Sequence, residues 1–158
     1  MAETSIQWTD HSINPIRFRD NAGRVGHFCQ KISPGCAHCY ASGLQRRFGT
    51  PEFRGESSEP EGKVFLDEGK LQEVLRRRKP TRYFWCDMTD LFGHWVPDEW
   101  LDKCFTTMAL TPQHTHQVLT KRPERMRDYF AGFRESAMMG DSISIRFKDM
   151  PDGGTLIW

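Results

Sequence analysis

A short apolar run, Tyr83-Phe84-Trp85-Cys86, and a second strand-like stretch, Gln117-Val118-Leu119, each give way to a polar string and then to a stretch with helical spacing. Short runs of this kind, bounded by turn residues, make buried strands. After the first run, Pro97 with Asp98 and Glu99 opens a helix on which Trp100, Leu101, Cys104, Phe105, Met108 and Ala109 share a face, and Pro112 ends it. After the second, Pro123 and Glu124 open a helix carrying Met126, Tyr129, Phe130 and Phe133 on one side. Strands alternating with helices predict parallel βαβ units, hence an α/β fold class. In such folds the residues just past the carboxyl ends of the strands line the ligand site. Asp87-Met88-Thr89-Asp90 and Thr120-Lys121-Arg122 stand there, so their loops are expected to converge on one face.

The remaining segments are plainer. The first forty residues read as loop, with a short strand near Ile6 to Thr9 and turn signals at Asn14-Pro15 and Ser33-Pro34-Gly35. Tyr40 to Phe48 suits a short helix, and residues 49–62, rich in Gly, Pro, Ser and Glu, an exposed connection. Asp67 is placed to cap a further helix with Leu71, Val74 and Leu75 on its apolar face. Arg76-Arg77-Arg78-Lys79 would complement that helix's C-terminal dipole before Pro80 stops it; the rival reading is a nucleic-acid contact. In the tail, 136–158, Ser142 to Phe147 alternates weakly like a strand and Asp152-Gly153-Gly154 is a turn. Thr155 to Trp158 begins an apolar run in which the chain stops, so a truncated or diverged C-terminus is expected.

With 158 residues, 37% of them hydrophobic and 27% charged, the chain suits one folded domain, 1–158, and not a disordered segment. Its net charge of +1 exerts no global pull on nucleic acid or membrane. No apolar run approaches a membrane span, and residues 1–10 lack the basic and apolar regions of a signal peptide, so a cytoplasmic location is expected.

Five cysteines, three of them within eleven residues, make a poor disulfide framework. Cys86 and Cys104 lie in apolar segments and read as buried structural thiols. The other three form Cys29-Gln30-Lys31-Ile32-Ser33-Pro34-Gly35-Cys36-Ala37-His38-Cys39, inside a loop spanning 27–41 that precedes a helix as a βα loop would. Two intervening residues let Cys36 and Cys39 reach one centre from a single turn, and a six-residue gap containing Pro34-Gly35 lets Cys29 fold back to join them. From spacing alone, zinc and an iron–sulfur cluster are nearly even. Zinc would want a fourth ligand, with His38 or His27 nearest, although His38 is strained by its adjacency to Cys39 and suits a wall of the site better. A cubane cluster would keep one iron open.

Ile6-Gln7-Trp8-Thr9-Asp10, Asn14-Pro15, Lys31 to Ala41, Asp87 to Phe92, Val96-Pro97-Asp98 and Leu119 to Met126 together resemble the phage-associated three-cysteine-motif family, a domain of unknown function in bacteriophage and bacterial genomes. The likeness runs from residue 6 to about 126. That family's motif is in turn similar to that of the radical S-adenosylmethionine superfamily, with six residues in the first gap where most members have three. The resemblance implies a partial (β/α) barrel, with Cys29, Cys36 and Cys39 ligating three irons of a [4Fe–4S] cluster and S-adenosylmethionine chelating the fourth. One electron would cleave the sulfonium C–S bond to give a radical that abstracts hydrogen from substrate. His38 would face the nucleoside, Asp87 and Asp90 the methionine amino group or ribose, and Lys121 and Arg122 an anionic group of cofactor or substrate. The implied partners are a flavodoxin- or ferredoxin-like reductant, a partner protein to complete the short barrel, and a nucleic-acid or nucleotide substrate. The competing expectation is a non-catalytic zinc module that binds nucleic acid through Arg76 to Lys79.

Overall fold

The computed structural model describes residues 2–4, 6–47, 62–138, 144–146 and 155–157. The first forty residues, expected to be loop, hold four strands: β1 (Ala2–Glu3), β2 (His11–Ile13), β3 (Ile16–Asp20) and β4 (Val25–Gly26). No strand forms over Ile6 to Thr9, where Thr9 N donates to Ile6 O at 3.2 Å and the chain turns; the strand begins at His11 instead. In β3, Ile16 and Phe18 point inward and Arg17 and Arg19 outward, the two-residue period of a half-buried strand. Gly23, at φ +80, supplies the left-handed residue of the turn into β4, and the Asp20 carboxylate accepts from Arg24 N and Nε at 2.8 and 2.7 Å to close it.

Helix α1 (Tyr40–Arg47) follows the cysteine loop. The expected connection over 49–62 lies outside the described residues except for Gly62, which begins β5 (Gly62–Leu66). Strand β5 pairs antiparallel with β3 from Ile16↔Leu66 to Asp20↔Gly62, making the three-stranded sheet β4-β3-β5. Helix α2 (Glu68–Arg76) begins after Asp67, but that carboxylate makes no capping bond: it pairs with Arg17 Nη1 at 3.3 Å, tying the helix start to β3.

Then come β6 (Arg82–Trp85), α3 (Asp98–Ala109), β7 (Thr115–Val118) and α4 (Pro123–Met138), as the alternation predicts. Strands β8 (Ser144–Arg146) and β9 (Thr155–Ile157) pair antiparallel in the tail; the Asp152-Gly153-Gly154 turn lies outside the described residues.

The sheet that positions the site has the order β1-β2-β6-β7, with β2, β6 and β7 parallel and β1 antiparallel at the edge. The α/β class therefore holds, as a mixed fold with one largely parallel and two antiparallel sheets. Central strand β6 is buried on both faces. Tyr83 and Trp85 pack in one core with Leu71 and Val74 of α2 and Leu101 and Cys104 of α3, each fully buried. Phe84 faces the other way, against Trp8. Burying each Leu or Val here contributes about 1.5–3 kcal/mol. A half-buried ion pair, Lys103 Nζ to Glu68 Oε1 at 2.8 Å, links α3 to α2.

Register then fixes where the loops begin. Trp85 lies between Ile13 and Val118, so the three parallel strands end level with one another. Asn14, Cys86 and Leu119 are the first residues beyond them. No helix among the described residues is long and apolar enough to cross a membrane.

Candidate functional site

The cysteine loop is anchored before it turns. Phe28 is buried between Phe18, at 5.9 Å, and the edge of Trp95, at 4.9 Å and 84°, and its carbonyl accepts from Thr89 Oγ1. Ser33-Pro34-Gly35 produces the expected turn, a single 3₁₀ turn over Pro34–Cys36. In it Cys36 N donates to Ser33 O at 2.9 Å and Cys39 N to Cys36 O at 3.3 Å, leaving Cys39 just ahead of α1.

Strand β6 ends in a sharp change of direction at Cys86, a non-glycine residue at φ 57 whose N–H donates to Ile13 O at 2.8 Å. Next, Asp87 accepts from Asn14 Nδ2, and Asn14 Oδ1 accepts from Met88 N at 3.1 Å. Tyr40 Oη donates to Asp87 O at 3.0 Å, joining α1 to this loop. Asp90 is almost wholly buried, and its two oxygens accept four bonds. Phe92 N and Thr120 Oγ1 donate to Oδ1 at 3.0 and 2.7 Å; Lys121 N and Arg122 Nη1 donate to Oδ2 at 3.1 and 2.9 Å. These bonds use the usual accepting capacity of a carboxylate. Arg122 also donates from Nη2 to Gln30 O at 3.2 Å and lies 4.7 Å over the Trp95 ring. Lys121 Nζ reaches Gly35 O at 3.3 Å.

The three loops thus surround one cavity of about 280 Å³. Cys29, Cys36, Cys39, Asp87, Asp90, Lys121 and Arg122 all line it, with apolar walls from Phe84, Met88 and Leu119. His38 is exposed and is not among its lining residues. His27 is half-buried with Nδ1 3.3 Å from Ile16 O, and desolvation lowers its pKa. Neither histidine joins the thiols; the side chains on the cavity wall that carry metal-donor atoms are the cysteines and the carboxylates of Asp87 and Asp90.

The thiols themselves differ. Burial raises Cys29 to about 11, with a further push from Asp90 and an opposing pull from Arg122. At Cys36 burial also raises the pKa, but the Ser33 hydroxyl, 3.5 Å from Sγ, backbone hydrogen bonds of Ile32 and Ser33, and the Lys121 charge outweigh it and bring the group to about 7. Among the described residues, no three His, Cys, Asp or Glu side chains are arranged to hold a metal ion. The expected trio therefore shares a cavity in this structure without forming a ligating set.

Of the other two cysteines, Cys86 also lines the cavity and Cys104 does not; both are buried free thiols, raised by burial as expected of structural cysteines. The basic stretch of 76–79 precedes the amino end of β6, opposite to the cavity. Arg76 bonds Gln72 and Arg77 bonds Thr81, while Arg77 O takes Gln113 Nε2 at 3.3 Å and lies 2.9 Å from His114 Nε2.

Sequence reading did not single out Asn14, Tyr40 or Trp95 for this site. Asn14 sits just past a parallel strand, a position hidden once that strand was expected at Ile6 to Thr9. Tyr40 and Trp95 act through contacts 47 and 27 residues distant, to Asp87 and Arg122, and no local pattern marks them.

A family model described as a protein of unknown function (DUF5131) matches residues 3–152. The match covers nearly the whole chain, which belongs to that family. No curated protein and no solved structure matches it significantly.

Proposed function

We propose that this DUF5131 chain is an iron–sulfur protein of radical S-adenosylmethionine type, with Cys29, Cys36 and Cys39 as the ligands of a [4Fe–4S] cluster. One observation supports the reading above others: Cys29, Cys36 and Cys39 line the same cavity as the polar loops after two neighbouring parallel strands, β6 and β7. Clustered thiols suit iron–sulfur chemistry as they do zinc, but neither His38 nor His27, the nearest nitrogen ligands for zinc, lines the cavity. Loading such a site needs thiolates. Cys36, at about 7, is half ionised near neutrality, whereas Cys29, at about 11, would release its proton as the metal arrives.

When bound, the cluster would supply one electron for cleaving the sulfonium C–S bond of S-adenosylmethionine, and hydrogen abstraction from substrate would follow. The chain's own residues would bind and orient. Asn14 holds Asp87 at the cavity wall, where its carboxylate can accept from an ammonium or ribose hydroxyl. Lys121 offers its ammonium to a carboxylate. Phe84, Met88 and Leu119 give the apolar surface that excludes water from a bound nucleoside. Asp90 and Arg122 line the cavity too, but their polar atoms are engaged with each other and with the loops. In this reading β2, β6 and β7 are parallel strands of a partial barrel that a partner protein would complete. A flavodoxin- or ferredoxin-like protein would supply the electron in a bacterial cytosol, with nucleic acid or nucleotide as the substrate class.

The test is anaerobic reconstitution with iron and sulfide. The expected product is brown, gives a cubane electron-paramagnetic signal on reduction, and changes that signal on addition of S-adenosylmethionine. A colourless protein holding one tightly bound zinc would overturn the reading in favour of a zinc module.

A further inference from the structure

Cys36 and Cys39 are held by their own short turn and by the start of α1. Cys29 is not: six residues separate it from Cys36, and its placement depends on what grips its neighbours. Both neighbours are gripped from the far side of the cavity. The Phe28 ring packs on the edge of Trp95 and its carbonyl accepts from Thr89. The Gln30 carbonyl accepts from Arg122 Nη2. Arg122 in turn is bonded to Asp90 and lies over Trp95, so one planar guanidinium touches both halves of the clamp. The Arg122 and Asp90 side chains are 12% and 8% exposed, so water competes little for these bonds.

We infer that Arg122, seated between Asp90 and Trp95, is the positioning residue for Cys29: it sets where this thiol stands relative to Cys36 and Cys39. The inference rests on the reading of these three cysteines as the site's centre and adds a role that ligand identity alone does not give. A lysine at 122 would keep the charge beside Asp90 and Cys29. It lacks the fork that serves Asp90 and Gln30 together and the plane that lies on Trp95.

The test is site-resolved maleimide labelling of the reduced, metal-free full chain, read by peptide mass spectrometry for wild type, Arg122→Lys and Trp95→Leu. Both variants preserve the local charge, which limits changes in thiolate fraction as the cause of a rate change. Labelling of Cys29 is expected to rise about tenfold or more in each variant, as a locally opened segment would. Cys36 and Cys39 should keep their rates, and Cys86 and Cys104 should stay protected. If one variant unfolds and labels at all five cysteines, the other decides. An unchanged Cys29 rate in a folded variant overturns the inference; so does a rise shared with Cys36 and Cys39, or one shared by all five in both variants. Because no metal is present, the outcome is independent of whether wild-type protein later takes up iron.

Discussion

At Cys36 and Cys29 the same residue type is given opposite character. Both are desolvated, but Cys36 has Ser33, backbone hydrogen bonds and the Lys121 charge around it, whereas Cys29 has Asp90. Alkylation of Cys36 in metal-free protein should therefore reach half its maximum near a pH of about 7 and rise above it, since the thiolate is the nucleophile. Lys121→Gln should move that midpoint upward. Cys29 should stay slow throughout the neutral range. A shared midpoint for the two thiols, in labelling rates measured against pH, would contradict this account. Asp90 makes the second prediction at this scale. Its carboxylate is buried against Arg122, and removing one partner of such a pair leaves the other charged and uncompensated. Asp90→Ala should cost about 3–5 kcal/mol in urea unfolding, whereas breaking the exposed Arg127–Asp128 pair should leave the unfolding midpoint essentially unchanged. The role of Asp90 was hidden in the sequence because three of its four donors come from Thr120, Lys121 and Arg122, about thirty residues later.

Among the elements, those legible in the sequence are the ones long enough to show their period. On α3, Leu101 and Cys104 fall on the buried face as their spacing predicts, and Pro97 and Pro112 bracket the helix. Strand β6 is marked by its apolar run, whereas β7 runs from Thr115 to Val118 and takes only Gln117 and Val118 from the expected stretch, leaving Leu119 beyond its end and exposed. Strands β1 and β2, at two and three residues, are shorter than any window in which alternation can be measured. Strand β3 does alternate, but its outward positions are Arg17 and Arg19, whose charges mask the pattern, and β5 follows directly on a polar stretch. The packing of β6 against β7 carries a pH signature. Trp85 Nε1 donates to His116 Nδ1 at 3.0 Å, so that nitrogen bears no proton, while Nε2 lies 3.1 Å from Thr111 Oγ1. Burial lowers the His116 pKa from its ordinary 6.5, outweighing the carbonyl of Thr111. As pH falls through 6.5 the unfolded chain takes up a proton that the fold resists, so stability is full above that value and declines below it. The thermal midpoint should drop between about pH 7.5 and 5.5, and His116→Gln should flatten that drop; a variant with the wild-type slope would count against the assignment.

For the molecule as a whole, the largely parallel sheet brings three loops to one end, while the basic stretch of 76–79 sits near the other. Convergence of the loops after β6 and β7 was legible because chemistry-bearing residues stood directly after strand-like stretches. The entry of the cysteine loop into the same cavity was legible only in outline, since the hairpin of β3 and β4 separates β2 from that loop. The central claim is that Cys29, Cys36 and Cys39 serve one inorganic centre and that Cys86 and Cys104 do not. Iron and sulfide counts on anaerobically reconstituted wild type and on the five single Cys→Ala variants test it most directly. Wild type, Cys86→Ala and Cys104→Ala should each hold about four irons and four sulfides per folded chain, while Cys29→Ala, Cys36→Ala and Cys39→Ala should each lose the intact cluster. Full iron in any of those three variants, or none in the wild type, would contradict it.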